Sequence, residues 1–276
     1  MSSLEVAITY ITADGGRTHA PMVEAEVNGL RTLLVVDTGS TDHILTTDLV
    51  EALGLQTTEG ETGTDSSGAP VPSWCLATAT VTLARRELRI HDLVVIPPPE
   101  PFRTGGIGGI LSPQHLAAPE WAVLDMAADR FCLLEADADL ADWLARSHED
   151  GGLADRLEPA PSDGTVMTTA AIAPHEPVPT MLDTGARVTE FATSAVPGIE
   201  EGERRSVGRG VGGTERFGRA VTDRELILGS QRIPLASLVL VDGHGDALGL
   251  VGMDVLRGTV LALNGDQQRP IWWLRP

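Results

Sequence analysis

Val36-Asp37-Thr38-Gly39-Ser40 and Leu182-Asp183-Thr184-Gly185-Ala186 are two copies of one short word, with aspartates 146 positions apart (183 − 37). A single Asp-Thr-Gly carries little, because Asp and Gly are common turn residues. A second copy in the other half points to a duplicated unit that brings two carboxylates to one spot. Paired carboxylates are a means of general acid/base chemistry on water.

Landmarks around the two words run in parallel. Before Asp37, two apolar stretches, Met22 to Val27 and Leu33 to Val36, flank Asn28-Gly29, a strong hairpin turn signal. Before Asp183, Val166 to Ile172 and Thr180 to Leu182 bracket Pro174 to Pro179. Thr47 lies ten residues after Asp37, as Thr193 does after Asp183. The first half continues with a Gly/Ser/Thr-rich stretch, Glu59 to Ser73, read as the tip of a long hairpin. Its counterpart is the glycine-rich Gly208 to Gly218. Ile107-Gly108-Gly109 is read as the partner of Leu250-Val251-Gly252, at 72 and 69 positions from the aspartates (109 − 37 and 252 − 183). The spacing predicts a first unit over 1–136, an acidic linker with a short helix over 137–163, and a second unit over 164–276.

Composition narrows the function classes. Formal net charge is −19, and every basic side chain is Arg. An acidic chain with no basic block is a poor candidate for nucleic acid or an anionic membrane surface. The longest apolar runs fall far short of a membrane span. The N-terminal residues lack the pattern of a secretory signal, so the expected setting is cytoplasmic. Cys75 and Cys132 are expected to stay reduced there, although two thiols leave one bridge open.

Competing motifs fail on context. Gly208-Arg209-Gly210-Val211-Gly212-Gly213 fits the dinucleotide pattern G-x-G-x-x-G but lacks a strand before it and a helix after it. No zinc-type spacing joins the scattered histidines, and no G-x-S-x-G elbow is present. No metal and no cofactor are expected.

The doubled word, its flanking strands, the hairpin tips and the later apolar-glycine elements resemble the aspartic peptidases, the clan of pepsin and the retroviral proteases. The closest description is a single-chain tandem of two retropepsin-like lobes. That resemblance implies an all-β, bilobal acid-protease fold with a central cleft. It implies Asp37 and Asp183 as the catalytic pair, supported by Thr38, Gly39, Ser40, Thr184, Gly185 and Ala186. The threonines would bond across the lobe interface and the glycines would admit the substrate backbone. Flap and substrate contacts fall to Ser66, Ser67, Gly68 and Trp74 in the first half, and to Arg187, Gly210, Val211 and Gly212 in the second. The flap tyrosine of pepsin has no counterpart, because the one Tyr is Tyr10, in the first strand. The implied activity is endopeptidase cleavage in limited processing of a peptide or protein, by a monomer whose two lobes complete one cleft. The alternatives are an idle peptide-binding module of the same fold and a hydrolase acting on a non-peptide bond.

Overall fold

The computed structural model describes residues 4–65, 68–116, 121–135, 137–148, 153–199, 202–242, 247–265, 269 and 271–275. Its described strands form a thirteen-stranded sheet, a nine-stranded sheet and a two-stranded ribbon. The predicted flap residues Ser66 and Ser67 lie outside the described residues.

The hairpin that enters the first motif is set by its turn. Asn28 and Gly29 both have positive φ, 45° and 86°. Paired left-handed residues make a two-residue turn whose twist matches that of the strands it joins. This fixes Arg17–Val27 against Leu30–Val36 with Val27 opposite Leu30 and Met22 opposite Val35. The second strand buries Leu34, Val35 and Val36 and then delivers Asp37.

Each motif is held by the same crossing of strands. Leu30–Val36 runs parallel to Ile107–Leu111, with Val36 opposite Leu111. Ile44–Thr46, just beyond the motif, lies antiparallel on the other side of that strand and parallel to Arg86–Ile96. In the second half Val178–Leu182 runs parallel to Gly249–Val251, with Leu182 opposite Val251. Glu190–Ala192 completes the pattern, antiparallel to Gly249–Val251 and parallel to Leu238–Val241. The chain therefore leaves and re-enters the sheet around each Asp-Thr-Gly loop.

This register corrects one sequence correspondence. Leu111 and Val251 are equivalent, so the first-half partner of Leu250-Val251-Gly252 is Ile110-Leu111-Ser112, not Ile107-Gly108-Gly109. Ser112 stands where the second half has glycine, and the spacing of nearby glycines misled the sequence reading.

The last hairpin, Val260–Asn264 with Ile271–Arg275, pairs with Trp121–Asp125 of the first half and with Leu153–Leu157. These strands extend the thirteen-stranded sheet rather than the nine-stranded one. Trp273 is fully buried there. The helix Asp137–His148 lays Leu140 and Trp143 on this layer, beside Trp121, Val123 and Leu274. Cys75 and Cys132 are both free thiols. Among the described residues no helix is long and apolar enough to cross a membrane.

Candidate active site

The two motifs meet at a cross-bonded floor. Thr38 and Thr184 are fully buried. The Thr38 hydroxyl donates to the Leu182 carbonyl at 2.5 Å, and the Thr184 hydroxyl donates to the Val36 carbonyl at 2.7 Å. In return, Thr184 N–H donates to Thr38 Oγ1 at 3.0 Å and Thr38 N–H to Thr184 Oγ1 at 3.1 Å. Each hydroxyl thus satisfies a carbonyl and an amide of the opposite half, in a place water does not reach. Below the aspartates, Asp37 N–H donates to Leu111 O at 2.9 Å and Asp183 N–H to Val251 O at 3.0 Å.

This floor brings Asp37 and Asp183 together. Each carboxyl accepts the amide two residues on: Gly39 N–H to Asp37 Oδ1 and Gly185 N–H to Asp183 Oδ1, both at 2.8 Å. Ala186 N–H adds a second donor to Asp183 Oδ1 at 3.0 Å. A Cβ on Gly39 would stand 2.6 Å from Asp183 Cγ, and one on Gly185 would overlap the Asp37 carboxyl. Glycine is required because each loop packs against the other loop's aspartate. The two carboxyls hydrogen-bond one another, and both keep some contact with solvent.

Desolvation pushes both carboxyls above the usual range. Asp183 is raised well above it, by desolvation first and then by the charge of Asp37 and the hydrogen bond to it. The amides of Gly39 and Gly185, the bond to Asp183 and the charge of His19 oppose the rise at Asp37. Two like charges in contact cannot both form cheaply, so the pair holds one proton across a wide span of pH.

The remaining predicted residues divide. Ser40 turns its hydroxyl to Asp42 O at 2.8 Å, while its carbonyl accepts from Ser112 Oγ and Gln114 Nε2. Arg187 is exposed at the edge of the second loop, and Trp74 packs on the main core at the start of strand Trp74–Leu83. Gly68, φ +77°, forms the turn of the first-half ribbon, Gly63–Thr64 with Pro70–Val71. Gly210, Val211 and Gly212 lie in the turn between Arg204–Arg209 and Glu215–Val221. The two hairpin tips touch: Gly212 N–H donates to Asp65 Oδ2 at 3.0 Å, and a Cβ on Gly210 would overlap that carboxylate.

Two residues here escaped the sequence reading. One is Asp65, whose sequence neighbourhood shows only turn formers. The other is His19, whose Nε2 donates to the Gly185 carbonyl at 2.8 Å. The hairpin register held the signal for His19. Counting on from Met22 opposite Val35 puts Ala20 level with Asp37, so His19 is next to the motif although 18 positions away (37 − 19).

Strand-dominated halves, each carrying an Asp-Thr-Gly loop inside a crossing of strands, define the all-β fold of the aspartic proteases. Residues 23–112 match a family described as aspartyl protease. The match runs from the first hairpin through Asp37 to Ser112 and supports an aspartic peptidase of the retropepsin type. It supports hydrolysis of peptide bonds in general terms. A search of curated proteins finds no match.

Proposed function

We propose that the chain is an aspartic endopeptidase in which Asp37 and Asp183 work as one acid/base pair on a shared water. The observation that carries this reading is the exchange of four hydrogen bonds between Thr38 and Thr184 and the opposite loops, which holds the carboxyls in contact. A peptide lies extended between this floor and the paired hairpin tips, and the substrate is a peptide or protein processed at limited sites.

The pair's electrostatics support a division of labour. Both carboxyls are raised, and we assign the charge to Asp37, which faces His19, and the shared proton to Asp183. Asp37 takes a proton from water as its oxygen attacks the scissile carbonyl carbon. Asp183 gives its proton to the carbonyl oxygen, leaving a neutral gem-diol. On collapse Asp37 passes its proton to the amide nitrogen, the C–N bond breaks, and Asp183 recovers a proton from a gem-diol hydroxyl. The charge never leaves the pair, so the low-polarity floor that raises both carboxyls also favours the proton movements.

The test is incubation of the purified chain with a diverse peptide library from acid to neutral pH, beside Asp37→Asn and Asp183→Asn. Cleavage by the native chain alone supports the reading. Saturable peptide binding without turnover in all three supports an idle binding module instead.

A further inference from the structure

We propose that His19 is a positioning residue that ties the second Asp-Thr-Gly loop to the first half and makes Asp37 the charged member of the pair. The proposal deepens the peptidase reading above and rests on it. Its basis is the 2.8 Å bond between His19 Nε2 and the Gly185 carbonyl, made by side chain and backbone 166 positions apart. A carbonyl oxygen only accepts, so Nε2 carries the hydrogen.

Gly185 touches both carboxyls. Its amide donates to Asp183 Oδ1 at 2.8 Å, and its Cα packs so tightly on Asp37 that an added Cβ would overlap the carboxyl. Holding the Gly185 carbonyl therefore sets the height of this peptide against both aspartates at once. A shift of a few tenths of an ångström would loosen one contact or compress the other.

The equivalent place in the second half is filled differently. Met167 opposite Met181 puts Thr165 level with Asp183, as Ala20 is with Asp37, so the place of His19 falls to Gly164. Two residues on, Val166 holds the first loop through a backbone bond, N–H to Thr38 O at 3.1 Å. Each loop is thus pinned from the opposite half, once by the imidazole near the start of strand Arg17–Val27 and once by the amide just before strand Met167–Ile172. Only the imidazole can carry charge, and its charge lowers Asp37 rather than Asp183. The titratable groups facing Asp37 are Asp183 and His19. A near-symmetric pair becomes directional: protonated His19 favours the carboxylate on Asp37 and leaves the proton to Asp183.

The test uses the full chain with His19→Ala and His19→Gln, each checked by melting, and Asp37→Asn as a control for the peptidase reading. With a peptide that the native chain cleaves, His19→Ala is expected to lower kcat roughly tenfold to a hundredfold while KM changes less than about threefold. Gln supplies a donor without charge, so it should recover part of kcat. In both variants the acid limb of the kcat profile should move to higher pH. A readout independent of turnover is the carbon-13 titration of the Asp37 carboxyl, expected to move upward in both variants. Folded variants with an unmoved Asp37 titration overturn the proposal, as does an effect confined to KM. If Asp37→Asn cleaves like the native chain, the peptidase reading fails, and the carboxyl titration still decides the role of His19.

Discussion

His43 and Thr189 occupy the same place in the two halves, each six residues beyond its aspartate (43 − 37 and 189 − 183), and each accepts the backbone N–H that follows the crossing strand. His43 Nδ1 accepts from Ser112 N–H at 3.2 Å, and Thr189 Oγ1 accepts from Gly252 N–H at 3.3 Å. Thr189 also donates to Asp254 Oδ1 at 2.7 Å. One structural duty is met by a hydroxyl in one half and an imidazole in the other, and only the imidazole titrates.

His43 should make the fold acid-sensitive. Burial first, and the charge of His115 second, push its ring down to about 4. Its Nδ1 is an acceptor and must stay unprotonated. The unfolded chain binds this proton near the ordinary value of 6.5, so stability falls as pH drops from about 6.5 to about 4. The loss amounts to up to about 3 kcal/mol. His43→Gln keeps an acceptor and cannot titrate, so its melting temperature should vary less across that window. Melting curves of both proteins at pH 4 to 7 measure the difference; parallel curves would refute it.

The dyad should show the opposite sign. Asp183 is raised well above the usual carboxylate value, so between that value and its native one the folded chain holds the extra proton. Stability is then full at acid pH and declines as pH rises through the native titration. Asp183→Asn should melt above the native protein at neutral pH and approach it below about pH 4. The same substitution, like Asp37→Asn, should cost about 10²–10⁴ in kcat. A variant that melts higher and cleaves less separates catalytic from structural loss.

The same contrast explains what the sequence made legible. Asp37, Asp183, the two threonines and the strands around them repeat in order, and repetition with hydrophobic patterning is visible in one dimension. Ser112 was missed because the crossing strand is recognised by its register with Val36, not by a glycine. His19 and Asp65 were missed because their partners, Gly185 and Gly212, are backbone groups in the other half, 166 and 147 positions away. A backbone N–H or carbonyl leaves no mark in the sequence to say what will bind it.

The hairpin tips should act as a carboxylate latch. Asp65 is nearly buried; it accepts Ala69 N–H within its own turn at 3.1 Å and Gly212 N–H across the cleft at 3.0 Å. Asp65→Ala removes both bonds, and amide exchange at Gly212 should accelerate roughly tenfold, the scale of one such hydrogen bond. Gly212→Ala should open the same contact from the other side, because its Cβ would stand 3.0 Å from Asp65 Oδ2 and 3.1 Å from Val71 Cγ2. Hydrogen exchange read at single amides decides it: unchanged protection in both variants means the tips are held by something other than this carboxylate.

The second hairpin is anchored by a buried ion pair, and its two halves should not be equally costly to remove. Arg216 of strand Glu215–Val221 bonds Glu190 at 2.5 Å, with side-chain exposures of 14% and 3%. Desolvation raises the Glu190 carboxyl, Arg216 opposes that rise, and Asp254 adds a like charge nearby. Arg216→Met leaves the buried Glu190 carboxyl without its cation and with the like charge of Asp254 nearby, and should cost about 3–5 kcal/mol. Glu190→Gln keeps the shape and an acceptor for the guanidinium, and Arg216 is the more exposed partner, so its cost should be smaller. Replacing both by Leu and Met removes the desolvation of the two charges together and should restore much of the loss. Denaturant unfolding of the two single variants and the double one measures this ordering. A double variant as unstable as the sum of the singles would mean that Glu190 and Arg216 stabilise the hairpin through separate neighbours rather than through each other.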